Sequence, residues 1–306
     1  MYSRKRPTRR RFLQLTMAAA GSASFLTRGI RGTLQESPIY LRDHDWLIGC
    51  WTRPWADQDY RVAMDAVAEA GFSYIALTGA KTSTKRVIAP ATTLEESRMV
   101  GEEAGKRGLS ITNAYGGGIP LTDGGEALRK MIDNASAAEA WSVLLSHVGE
   151  EETFEECCRT ISECCDYAKE KGLTIVLKPH GGTTGTGPEL RRAVALVARD
   201  NFTVMYDPGN ILYYSDGKVD PVEDCSALDG LVTGVSIKDY RHPKEVMFTP
   251  GTGQVDFPAM MSRLRKGGFE GGPLPIECLT LGDAKQTLEE AKKARIFVEQ
   301  LVGIGA

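Results

Sequence analysis

From Trp46 onward the chain alternates short apolar runs with longer stretches in which apolar residues return every three or four positions. The apolar runs are WLIGC (46–50), SYIAL (73–77), LSITNA (109–114), SVLLSH (142–147), LTIVLK (173–178), FTVMYD (202–207), VTGVSI (232–237) and LPIEC (274–278). The amphipathic stretches predict helices over 57–70, 93–107, 123–138, 151–171, 187–199, 220–229, 256–266 and 283–301. Several of them run into a glycine just ahead of the next strand, as in AEAGFSYI, GKRGLSIT, KEKGLTIV and RKGGFEGG. Near-continuous apolar strands separated by helices predict a parallel sheet covered on both faces. Eight such units match a (β/α)8 TIM barrel in count and length. The alternative is an open doubly wound sheet. That fold favours a glycine fingerprint after the first strand, where this chain has CWTRPW.

Charge divides the chain into two parts. Residues 1–33 carry eight of the 37 Lys and Arg and no acid, which leaves 29 basic against 40 acidic residues, a net charge of −11, for the rest. So acidic a remainder is a poor candidate for binding a nucleic-acid backbone. The basic segment contains TRRRFLQLTMAAAGSASFL. Its residues Thr8–Gln14 resemble a twin-arginine export signal at every position of the consensus. Residues 1–35 are therefore expected to be a signal peptide and linker, with the barrel domain over 36–306. The resemblance implies passage through the twin-arginine translocase and a periplasmic location. Seven cysteines do not form a disulfide framework. Cys157, Cys158, Cys164 and Cys165 recur at a spacing of seven within one helical pattern, so they share a face and read as small core residues.

In a barrel of this kind the chemistry lies at the C-terminal ends of the strands. Those ends carry Trp51, Arg53, Thr78, Tyr115, Ser146, His147, Lys178, His180, Asp207, Asn210, Ser236, Lys238, Asp239 and Glu277. Ionisable residues at three strand ends are too costly to bury unpaired, so Lys178, Asp207 and Glu277 are expected to converge and neutralise one another. His180 stands beside them in KPHGG and joins them as a catalytic candidate. Trp51, Arg53, Tyr115, His147, Asn210 and Lys238 are candidates for substrate contact, Trp51 as an apolar wall for a sugar ring or as core. Asn210 reads equally as a turn cap, and Lys238 with Asp239 equally as an internal ion pair.

Five segments in order, VLKPHGG, MYDPGN (205–210), SIKDY (236–240), GTGQVDFPAMMSRLRKGGFEG (251–271) and PIEC (275–278), carry a resemblance. With them the second half resembles the xylose isomerase-like TIM-barrel superfamily of sugar isomerases and epimerases. The resemblance implies a divalent metal held by Glu, Asp, His and Glu at strand ends. Here those positions fall on Lys178, Asp207, Ser236 and Glu277. Two of the four ligands are missing, and one is replaced by a cation that repels a hard metal ion. No cofactor is therefore expected; a manganese-like ion on Asp207 and Glu277, completed by His180 or His147, is the alternative. Lys178 would then supply the positive charge for a developing enolate, with Glu277 or Asp207 as base and His180 as a second acid. A Schiff base on Lys178 is disfavoured because two adjacent carboxylates raise its pKa. The implied function is proton transfer beside a carbonyl of a carbohydrate, in an exported isomerase or epimerase. A lyase or hydrolase acting on oxidised sugars and a non-catalytic carbohydrate-binding barrel remain open. A nuclease role needs several strand-end histidines, and the chain has four in all.

Overall fold

The computed structural model describes residues 45–304. The expected export signal, residues 1–35, and residues 36–44 of the expected barrel domain lie outside the described residues. Each apolar run forms a strand: β1 (Trp46–Trp51), β2 (Tyr74–Leu77), β3 (Ser110–Tyr115), β4 (Ser142–Leu145), β5 (Thr174–Leu177), β6 (Phe202–Tyr206), β7 (Val232–Val235) and β8 (Gly272–Ile276). All neighbours pair in parallel, in the order β7-β6-β5-β4-β3-β2-β1-β8. The ring closes just past β7 and β8. There the Ile237 amide donates to the Pro275 carbonyl at 2.9 Å, and the Glu277 amide donates to the Ile237 carbonyl at 3.0 Å. The fold is the (β/α)8 barrel.

The helices are α1 (Tyr60–Glu69), α2 (Leu94–Lys106), α3 (Glu126–Ala137), α4 (Phe154–Glu170), α5 (Gly187–Val197), α6 (Pro208–Tyr214), α7 (Pro221–Asp224), α8 (Phe257–Lys266) and α9 (Ala284–Val302). Glycine stops behave as expected: Gly108 after α2 and Gly172 after α4 both take φ of +68°, where a Cβ would be strained. Two departures from the sequence reading have local causes. The helix expected over 220–229 divides into α7 and a 3-10 turn, Cys225–Leu228. The other is α6, a helix where DPGN reads as a turn. Pro208 takes the first helical position and the Asp207 carboxylate caps it by accepting from the Asn210 amide at 2.8 Å.

The core has two shells. The larger lies between sheet and helices and includes the α4 cysteines, all four buried as free thiols. Burial pushes the Cys158 thiol up to about 11, so it stays protonated and inert. The smaller shell fills the barrel with Trp51, Ala76, Leu144, Val176 and Met205, with Tyr115 packed against it. Aligned strand ends and this apolar plug determine where the polar residues meet.

Candidate functional site

Lys178, Asp207, Ser236 and Glu277 each come directly after the last residue of a strand, Lys238 lies two residues beyond Ser236, and all five are buried. They form one connected cluster. The Lys178 ammonium donates to Asp207 Oδ2 at 2.8 Å and to Glu277 Oε2 at 2.5 Å. Lys238 donates to Glu277 Oε1 at 3.0 Å and to Asn210 Oδ1 at 2.7 Å. The Ser236 hydroxyl donates to Glu277 Oε2 at 2.8 Å, and Arg53 forms an ion pair with Glu277 Oε1. Three cations thus surround two carboxylates, and the cluster carries a net charge of +1.

The electrostatics follow from that count. Burial alone would raise the Glu277 carboxyl, but Lys178, Lys238 and Arg53 outweigh it and hold the group well below the carboxylate range. Both Glu277 oxygens have two donors each, which leaves it poorly disposed to take a proton. Burial likewise opposes charge on Lys178, yet Asp207 and Glu277 raise it above an ordinary lysine. Burial raises Asp207, against the pull of Lys178 and Lys238. A permanently charged Lys178 is no nucleophile, in line with the reading against a Schiff base.

Successive residues of the β7 end divide the work. Lys238 turns inward, whereas Asp239 accepts from the amides of Tyr240, Gly251, Gly253 and Val255 at 2.8–3.1 Å. The Lys238–Asp239 pair expected as one possibility does not form. Asp239 instead holds the GTGQV loop, which explains that motif. Asn210 is neither a turn cap nor free. Its side chain bridges Lys238 to the Pro179 carbonyl, to which it donates at 2.7 Å. Gly209 permits this, since a Cβ there would lie 2.7 Å from the Lys238 side chain and carbonyl.

A cavity of about 310 Å³ opens above the cluster, lined by Trp51, Arg53, Thr78, Lys85, Arg86, Tyr115, Lys178, His180 and Glu277 among others. His180 lies against the Tyr214 ring at 4.9 Å between centroids, with the Tyr214 hydroxyl 3.1 Å from its ring nitrogens. A Cβ at Gly181 would lie 2.6 Å from the Tyr214 ring, so this glycine permits the stacking. His180 is exposed at the rim of the cavity, and partial burial of its ring, reinforced by Lys178 and Lys238, pulls the imidazole down to about 4, so it is neutral at physiological pH. Trp51 is fully buried at the cavity floor and its indole N–H has no acceptor. Tyr115 bonds Ser146 through its hydroxyl at 3.0 Å.

His147 does not join the group that lines the cavity. Strand β4 stops at Leu145, and His147 faces outward with its ring nitrogen 3.6 Å from Glu150. The sequence reading also missed Lys85, Arg86 and Tyr214. The first two lie on the loop after β2, on the face of the barrel that carries the charge cluster, so a scan of strand-end loops as well as strand ends would have found them.

Three comparisons place the chain among known proteins. A family model described as xylose isomerase-like TIM barrel matches residues 64–296. Inosose dehydratase from Glaesserella parasuis serovar 5 is 26% identical over 172 residues, 50% of this chain. The match spans 57% of that relative's length. A xylose isomerase domain protein from Planctomyces limnophilus superposes with a TM-score of 0.66 at 19% identity, over 84% of this chain and 97% of the other. D-allulose 3-epimerase from Methylomonas sp., solved with D-allulose, gives the same score, identity and coverage.

Proposed function

The chain belongs to the xylose isomerase-like TIM barrel family, and we propose that it moves a proton beside a carbonyl of a carbohydrate without a divalent ion. The observation that carries this reading is the buried Lys178 ammonium. It takes one oxygen of each carboxylate, Asp207 and Glu277, that the family resemblance assigns to metal. With Ser236 in place of histidine, the donor set does not fit a divalent cation. Among the described residues no group of three or more His, Cys, Asp or Glu is arranged to hold one.

An ammonium has three N–H donors, and two of those on Lys178 are taken. Lys178 lines the cavity, and its third N–H has no acceptor among the described residues. Such a donor, fixed in a dry site, stabilises an enolate oxygen without reorganising. His180 is the proton acceptor that best suits this reading, because it is neutral and lines the cavity while both Glu277 oxygens are engaged. The carbon-bound proton passes to the imidazole and the electron pair moves onto the carbonyl oxygen facing Lys178. Return of the proton to the opposite face of the same carbon gives an epimer; its return to the neighbouring carbon, with the hydroxyl proton passing to the enolate oxygen, gives an isomer. The similarity to an inosose dehydratase favours a second outcome for the same enolate: expulsion of a β-hydroxyl as water.

Incubation in D2O with D-allulose, D-fructose or an inosose, followed by proton NMR, tests the reading. A carbon-bound proton is expected to be lost from at least one of them, unaffected by EDTA, and His180→Gln slows the loss about 10²–10⁴-fold. The active form is the neutral imidazole, which is present above its pKa. The rate is therefore expected to fall as pH drops through about 4. Loss of exchange on chelation would restore a metal to the mechanism, and no exchange with any probe would favour a barrel that binds sugar without turnover.

We also propose that residues 1–35 direct export, on the match of Thr8–Gln14 to the twin-arginine consensus. Replacing Arg9 and Arg10 by lysine is expected to abolish periplasmic accumulation in cell fractionation. An unchanged distribution between compartments would overturn it.

A further inference from the structure

We infer that the carbohydrate taken by this cavity carries an anionic group, a carboxylate or a phosphate, gripped by Lys85 and Arg86 above the buried cluster. The inference rests on reading the cavity as the substrate site and adds the class of substrate. Lys85 and Arg86 raise the net positive charge around the cavity from +1 to +3, and Glu277 is the single acid among its lining residues. Both oxygens of that acid are already taken by cations and Ser236.

Many basic side chains elsewhere on the surface find a carboxylate, as in Arg107 with Asp65, Lys169 with Asp200 and Arg192 with Glu151; of those that do not, Lys85 and Arg86 line the cavity. Lys85 and Arg86 have no carboxylate partner among the described residues.

Arg86 is nevertheless held in place. Its guanidinium lies 4.6 Å from the centroid of the Tyr115 ring, and its backbone carbonyl accepts from the Thr82 hydroxyl at 2.7 Å. The loop folds back through an antiparallel bridge between Gly79 and Arg86. Gly79 sits so close to Ala56 that an added Cβ would lie 2.8 Å from the alanine methyl. The loop therefore rests on the segment just after Arg53, and three cations from two packed segments face one space. A neutral sugar needs acceptors for its hydroxyl protons, and this cavity offers mainly donors, those of Arg53, Lys85, Arg86 and Lys178. Anionic oxygens accept from all of them, and a planar guanidinium suits carboxylate and phosphate alike.

Isothermal titration of the full barrel with D-glucuronate, D-glucose 6-phosphate and D-glucose, at low and high salt, tests the inference without requiring turnover. At least one charged sugar is expected to bind about 10- to 100-fold more tightly than glucose, with the margin shrinking in salt. Replacing Lys85 and Arg86 together by alanine should remove that margin. Preference for glucuronate or for the phosphate identifies the group. Glucose binding as tightly as both anions would overturn the inference, as would a double variant that keeps the preference. Either result would leave the D2O exchange assay free to support proton transfer, and a failed exchange assay would leave these affinities measurable.

Discussion

Lys178→Met destabilises the barrel by about 3–5 kcal/mol, the expected cost of removing one partner from a buried ion pair. For a domain of this size that lowers the melting temperature by roughly 6–20 °C. The cause lies in what stays behind. Glu277 keeps Arg53, Lys238 and Ser236, but Asp207, fully buried, is left with the Asn210 amide alone. The deficit depends on pH with a definite sign. In the variant the folded-state pKa of Asp207 rises further above its unfolded value, so its contribution is present at acid pH and is lost as pH rises through the folded pKa. In the wild type Glu277 is depressed, so its contribution is present above the unfolded value and is lost as pH falls through the folded one. The Asp207 trend makes the gap between the proteins narrow in acid and wide at neutral pH, whereas Glu277 acts only below its unfolded value and in both proteins keeps Arg53 and Lys238. Urea midpoints at about pH 5 and about pH 8 measure it. Equal stability of the two proteins at the higher pH, or the same deficit at both, would show that Lys178 does not neutralise the buried carboxylates.

Lys178→Glu converts the same position to the opposite chemistry. Three carboxylates then face one point, and the local charge changes by two units. Manganese is expected to bind this variant at about one ion per chain and at least about 100-fold more tightly than the wild type. Bound ion also offsets the repulsion that the substitution introduces, so excess manganese should raise the variant's melting temperature and leave the wild type's unmoved. Titration calorimetry and thermal melts with and without the ion give two independent readings. Equally tight uptake by the wild type would mean that another residue completes a metal shell, and the metal-free mechanism would fail.

The charge cluster is legible in a linear chain because it follows from two facts. Alternating apolar runs and glycine-stopped helices make the strands parallel, and parallel strands put all their C-terminal residues on one face. Lys178, Asp207, Lys238 and Glu277 follow from that rule. The rule is weaker where one residue of register matters. His147 was read as a strand end, yet β4 stops two residues earlier and the ring turns to Glu150. Lys238 and Asp239 are adjacent in sequence but point to opposite sides, one into the charge cluster and one to the GTGQV loop. Proline and glycine in DPGN read as a turn, and the cap supplied by Asp207 makes them a helix.

Local sequence thus determined the barrel and the end at which its strand-end charges gather, because periodicity and strand direction are short-range properties. Only the tertiary structure decided the rest. Glu277 is drained of basicity by three cations that come from three different strand ends. His180 is neutral because its partial burial is reinforced by the same cations. Lys85 and Arg86 guard the mouth because their loop packs against the segment after β1. Charge acts through space, and the distances that set its strength exist only after the eight strands close.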